Sequence, residues 1–202
     1  LLETVADLVE AFVNAPLVSA QAMLNFVLMG AAGVGKSRLA ARLAAVVGKL
    51  GLLAYDTLVE AGRSSFVAEY EGQTATKARS FLMSNLEKVI FLDEAYSLTT
   101  WESEGAGDRT LSAYSAEAST ELVAFLSQRV GSTCFIAAGY EHEMLFDFLP
   151  ANSGLPRRFP YRVWLQSYSA SQLTDIFLGA LAEALSDPLP ARPLTAAVTR
   201  NY

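Results

Sequence analysis

The octet Gly30-Ala31-Ala32-Gly33-Val34-Gly35-Lys36-Ser37 narrows the folds open to this chain more than any other segment. It follows the apolar run Phe26-Val27-Leu28-Met29, which reads as a short buried strand. It precedes an Ala- and Leu-rich stretch, residues 37–50, which reads as a helix closed by Gly51. Glycines at this spacing, between a strand and a helix, let successive backbone N–H groups converge near the positive end of the helix dipole, which makes an anion site out of main chain. Lys36 adds a point charge that reaches the outer phosphates of a nucleotide, and Ser37 adds a hydroxyl for magnesium. The octet matches the phosphate-loop pattern in full, so Gly30, Ala31, Ala32, Gly33, Val34, Gly35, Lys36 and Ser37 are expected to hold ATP and Mg2+.

The rest of the chain alternates in the way such a loop requires. Residues 55–59 read as a strand, 74–86 as a helix, and Val89-Ile90-Phe91-Leu92 as an unbroken apolar strand. Residues 99–113 are polar, with Ser103, Gly105 and Gly107, and read as a loop. Helix is expected over 117–129 and 141–148, and strand over 133–138 and 161–165. Strands alternating with helices predict an α/β fold: a parallel sheet flanked by helices. An amphipathic helix over 171–185 follows the last strand and predicts the beginning of a helical lid. The expected domains are residues 1–166, the nucleotide-binding α/β domain, and 167–202, a truncated lid. A further short helix is expected near the front, on Leu8, Val9, Phe12 and Val13.

Asp93 and Glu94 stop the third apolar strand at its carboxyl end, where open parallel sheets bind their ligands. Asp93 suits a magnesium ion, while Glu94 suits the orientation and deprotonation of an attacking water. A small-molecule kinase has no need of that second carboxylate.

Composition excludes several alternatives. The chain has 202 residues, 52% of them hydrophobic, enough for one main domain and part of a second. Its 15 Lys and Arg stand against 21 Asp and Glu, which argues against a nucleic-acid partner. Residues 11–35 carry no charge before Lys36, yet Asn14, Pro16, Ser19, Gln21 and Asn25 interrupt them, so no membrane span is expected. No secretory leader is evident. The lone Cys134 sits in an apolar strand and predicts an intracellular, reducing compartment, cytoplasm or organelle stroma. A start at Leu1 and the tail with Pro188, Pro190 and Pro193 read as a piece of a longer protein.

The octet, together with Phe66-Val67-Ala68-Glu69-Tyr70-Glu71-Gly72-Gln73, Leu92-Asp93-Glu94-Ala95-Tyr96, Ala138-Gly139-Tyr140 and Asn152-Ser153-Gly154-Leu155-Pro156-Arg157-Arg158-Phe159, resembles the AAA+ group that contains CbbX, the red-type rubisco activase, and the stage V sporulation protein K. The resemblance covers residues 25–178. It implies an ATPase that works from a ring, a hexamer, to remodel or thread a protein substrate. It also implies that Tyr70, Glu71 and Gly72 form a substrate-contacting pore loop. Arg158 falls on the position of an arginine finger directed at a neighbouring subunit, next to an unusual Arg157. Where many AAA+ proteins carry a sensor Asn, this chain has Gly139-Tyr140. The alternative is a nucleotide-dependent assembly module with slow or no hydrolysis. His142, between two glutamates, reads as solvated; Trp101 reads either as a partner contact or as packed on the sheet; Arg192 and Arg200 are not assigned a sensor role.

Overall fold

The computed structural model describes residues 23–70, 72–103 and 109–186. The expected front helix, Glu71, Gly105, Gly107, Arg192 and Arg200 lie outside the described residues. The chain divides into two compact units, Leu1–Gln166 and Ser167–Tyr202.

In the first unit, strands β1 (Phe26–Met29), β2 (Leu58–Ala61), β3 (Val89–Leu92), β6 (Cys134–Gly139) and β7 (Tyr161–Trp164) form a five-stranded sheet in the order β2-β3-β6-β1-β7. All four pairings are parallel. Every residue of β1, β3 and β6 is buried, as expected of parallel strands covered on both faces. Side-chain alternation sends Val27, Met29, Ile90, Leu92, Phe135 and Ala137 into one core. There they meet helices α3 (Thr74–Ser84) and α4 (Ala113–Gln128) through Ala78, Leu82, Ala118, Leu122 and Phe125. The alternate set, Phe26, Leu28, Val89, Phe91, Ile136 and Ala138, packs on the other face against Leu39, Leu43 and Val47 of helix α1 (Lys36–Lys49). The expected parallel α/β sheet flanked by helices is the architecture found.

Several boundaries differ from the sequence reading. The second strand is 58–61, not 55–59, because its register is set by pairing with β3, Leu58 opposite Val89, while Tyr55 remains 55% exposed. A four-residue helix, α2 (Arg63–Phe66), follows it. The supposed loop 99–113 contains an antiparallel pair, β4 (Trp101–Ser103) with β5 (Arg109–Leu111). Its ordering contacts are nonlocal: Arg109 lies over the Trp101 ring at 5.2 Å and pairs with Asp147 at 2.7 Å, and Trp101 Nε1 donates to Asp147 O at 3.1 Å. Trp101 therefore packs back on its own domain. Helix α4 starts four residues before the expected 117, since Ser112 caps it, its Oγ accepting from Ser115 N. The stretch 141–148 begins as the short helix α5 (Glu141–Glu143) and widens to a π turn over Met144–Phe148. Helix α6 (Leu155–Arg158) precedes β7.

One buried polar residue ties these pieces together. Asn25 is 3% exposed; its Oδ1 accepts from Phe135 N at 3.0 Å and its Nδ2 donates to Arg158 O at 2.8 Å. Asn25→Ala leaves both backbone groups without that partner and is expected to cost about 2–4 kcal/mol of unfolding free energy. Urea denaturation checks this, and a loss below about 0.5 kcal/mol would mean that the amide and carbonyl re-pair without cost.

The second unit contributes helix α7 (Ala170–Ser186). Ser169 and Gln172 form a reciprocal cap: Ser169 N donates to Gln172 Oε1 at 2.9 Å, and Gln172 N to Ser169 Oγ at 3.3 Å. No helix among the described residues is long and apolar enough to cross a membrane.

Candidate functional site

The chain between β1 and α1 turns through Gly33 at φ 75° and Gly35 at φ 95°. Both lie in the left-handed region that favours glycine, so the turn depends on residues without a Cβ. Gly30 N donates to Gly139 O at 3.2 Å, which anchors the loop to the neighbouring strand. Lys36, first residue of α1, curls over the loop: its Nζ donates to Gly30 O and Ala31 O, both at 2.9 Å, and stands 5.3 Å from the centre of the Tyr140 ring. This is a cradle of backbone amides, a helix N-terminus and a lysine, the chemistry that suits phosphate oxygens.

The opposite wall comes from β3. The register sets Leu92 beside Ala137 and Met29 beside Gly139, so β1 and β3 flank β6 at their carboxyl ends. Two strand spacings, about 9.5 Å, separate the loop strand from the acidic strand, room for a phosphoryl group and a water between them. Glu94 adopts φ 48°, ψ 49°, uncommon for a residue with a side chain, and its N–H donates to Asp93 Oδ1 at 3.0 Å. Its carbonyl accepts from Ser97 N at 2.7 Å and so starts the 3-10 turn Ala95–Leu98.

Ala32, Gly33, Gly35, Lys36, Ser37, Asp93 and Glu94 line one cleft of about 310 Å³. Ser37 and Asp93 bring hard oxygen donors to the same space, a donor set that fits magnesium. The cleft also takes in Arg38, Tyr96, Gly139 and Tyr140. Arg38 and Tyr96 carried no assignment from sequence. Tyr96 belongs to the run that supports the family resemblance, but its part in the cleft depends on a contact with Gly139, far along the chain.

The remaining expected residues lie elsewhere. Arg158 is not on the cleft wall; its Nε and Nη2 contact Ser127 Oγ at 3.0 and 2.8 Å, and Arg157 is exposed. Tyr70 is 68% exposed, between α2 and α3, beside a shallow depression lined by Ala68, Glu69, Gln73, Thr76 and Lys77. Gly72 has φ 74°. Neither Tyr70 nor Gly72 lines the cleft. His142 is exposed and rests on Phe146, ring centres 4.7 Å apart; no cluster of metal-ligating side chains occurs among the described residues. Cys134 is fully buried, and burial pushes its thiol far above the usual range, so it is unreactive.

The family model of the ATPase family associated with various cellular activities (AAA) matches residues 26–166, the span from β1 to just past β7. Among curated proteins, the ESX-1 secretion system protein EccA1 of Mycolicibacterium smegmatis is 34% identical over 183 residues, 89% of this chain and 31% of that protein. EccA1 of Mycobacterium tuberculosis is 35% identical over 157 residues, 78% of this chain and 26% of the relative. The ESX-2 secretion system protein EccA2 of Mycobacterium tuberculosis is 31% identical over 182 residues, 88% and 29% respectively. The chain thus spans under a third of the length of these curated relatives. With the family match running through the loop strand, the acidic strand and the strand between them, the chain belongs to the AAA family of ATPases.

Proposed function

We propose that this chain is the ATP-hydrolysing motor domain of a ring assembly that remodels or threads a protein. The observation that carries the reading is the meeting of Lys36 and Ser37 with Asp93 and Glu94 on the walls of one cleft. In this reading Gly30 to Gly35 wrap the phosphates, Lys36 neutralises the outer ones, and Ser37 Oγ and the Asp93 carboxylate hold magnesium. The ion, when bound, supplies charge neutralisation for the phosphoryl oxygens. Glu94 takes the proton of the attacking water, and Arg158 of a neighbouring subunit meets the charge that develops.

Residues 1–166 act as the nucleotide-binding domain and 167–202 as the start of the lid. A nearer kinship with the CbbX and stage V sporulation protein K group is supported by Asp93-Glu94-Ala95-Tyr96 and Ala138-Gly139-Tyr140. The relatives are named as secretion system proteins, which supports a polypeptide as the object of the work. A hexameric ring and a reducing intracellular compartment complete the proposal.

Steady-state ATP hydrolysis over a protein concentration series, with mass measured with and without nucleotide, tests it. Turnover that rises with assembly is the expected result; nucleotide-driven assembly without turnover would replace the motor with a structural module. The loop of Tyr70, Glu71 and Gly72 is proposed to grip the polypeptide, a role that the exposure of Tyr70 supports. Tyr70→Ala is expected to keep ATP affinity within about twofold, since it is outside the cleft, and to lose at least about tenfold in affinity for an unfolded polypeptide, the scale of a truncated aromatic anchor. Fluorescence anisotropy with a labelled polypeptide checks this, and an unchanged affinity would remove the pore-loop assignment.

A further inference from the structure

Gly154, which begins helix α6, lies against helix α4. A Cβ at that glycine would stand 2.6 Å from Val123 Cγ1, so a side chain there would push α6 away from α4. Four residues further along each segment, about one helical turn, the same close approach sets Arg158 beside Ser127. Arg158 Nε and Nη2 both donate to one atom, Ser127 Oγ, at 3.0 and 2.8 Å. A serine oxygen has one proton to give and two lone pairs to offer. Here the proton goes to Val123 O, the carbonyl one turn back in α4, and both lone pairs are left to the guanidinium.

The contact occupies one edge of the guanidinium. Among the described residues neither ion pair involves Arg158, and its side chain makes no hydrogen bond besides these two. The other edge, formed by Nη1 and the outer hydrogen of Nη2, is therefore open, and it is a fork that can hold two phosphate oxygens at once. A long side chain at the surface otherwise samples many rotamers, and ordering it only when the substrate arrives costs part of the interaction. Arg158 is half-buried and Ser127 exposed, so the serine removes that freedom while the open edge stays within reach of a neighbouring molecule. We infer that Ser127 is a positioning residue for hydrolysis: its hydroxyl holds the Arg158 guanidinium by one edge and presents the other to the phosphates of ATP bound to an adjacent protomer. This rests on the proposed role of Arg158 as the finger and names what orients it.

Ser127→Ala removes the hydroxyl from an exposed helix position, so it is expected to fold and assemble as the unaltered protein does. ATP affinity, from a fluorescent-nucleotide titration, is expected to stay within about twofold, because the change acts on the chemical step and not on binding. The hydrolysis rate of the assembled protein is expected to fall roughly three- to tenfold, the scale of one hydrogen bond in contact with water. Ser127→Thr keeps the hydroxyl and is expected to restore the rate. Adding Ser127→Ala to Arg158→Ala is expected to lower the residual rate no further, because the hydroxyl acts through that guanidinium. An unaltered or raised rate in Ser127→Ala, beside a large loss in Arg158→Ala, would overturn the positioning role alone. So would an equal loss on the Arg158→Ala background, or a matching loss of assembly or of ATP affinity. Hydrolysis at the unaltered rate in Arg158→Ala would remove the finger and, with it, the role of Ser127.

Discussion

Glu94→Gln is expected to bind ATP as tightly as the unaltered protein and to hydrolyse it about 10²- to 10⁴-fold more slowly, the usual worth of a positioned general base. The amide keeps the size and the backbone of Glu94, including its left-handed conformation, so the cleft is expected to retain its shape. What it loses is the basicity of the carboxylate, since the amide oxygen can accept a hydrogen bond but cannot take the water's proton. Lys36→Ala is expected to fail one step earlier. The Lys36 Nζ is the cation that the loop draws over Gly30 and Ala31, and without it the outer phosphates lose the charge held directly on the loop. Fluorescent-nucleotide titration and phosphate release, measured on both variants, separate the two steps. Turnover by Glu94→Gln at the unaltered rate would end its assignment as the base.

Arg158→Ala is expected to bind ATP normally and lose roughly a thousandfold or more in hydrolysis, since a finger supplied from a neighbour is worth that much in phosphoryl transfer. The side chain does not line its own cleft. It leans on Ser127 of α4 through two contacts, while its backbone carbonyl is held by the buried Asn25, so the residue is fixed to the sheet at its root. In the proposed reading it acts on the nucleotide of a protomer docked against it. Mixing makes the test decisive. Arg158→Ala, with an intact site, is combined with Lys36→Ala, with a dead site and an intact finger. Part of the lost activity is expected to return. Co-assembly without recovery would mean that Arg158 serves its own subunit or the fold.

Much of the architecture was legible because neighbouring residues encode it. β1, β3 and β6 are covered on both faces, so they read as apolar runs, and Gly33 and Gly35 mark a turn that only residues without a Cβ take easily. The edge strand β2 is only partly buried and carries no such run, so its ends are set by pairing with β3 and not by a local pattern. The pair β4 and β5 was hidden for a related reason: its polar residues are ordered by Asp147, nearly forty residues away.

The site divides in the same way. Each wall was visible as a local motif, the loop Gly30 to Ser37 and the pair Asp93 and Glu94. Their meeting across one cleft was decided by the insertion of β6 between β1 and β3, an order that no local spacing encodes. Asn25 likewise reads locally as a break in an apolar run, yet it bridges Phe135 and Arg158, each more than a hundred residues away. Tyr96 acquires its seat only because Gly139 ends the inserted strand bare. Chain-local geometry made the phosphate loop and the acidic strand end readable from sequence, whereas strand order and close packing, which depend on residues distant in the chain, decided which side chains face one another.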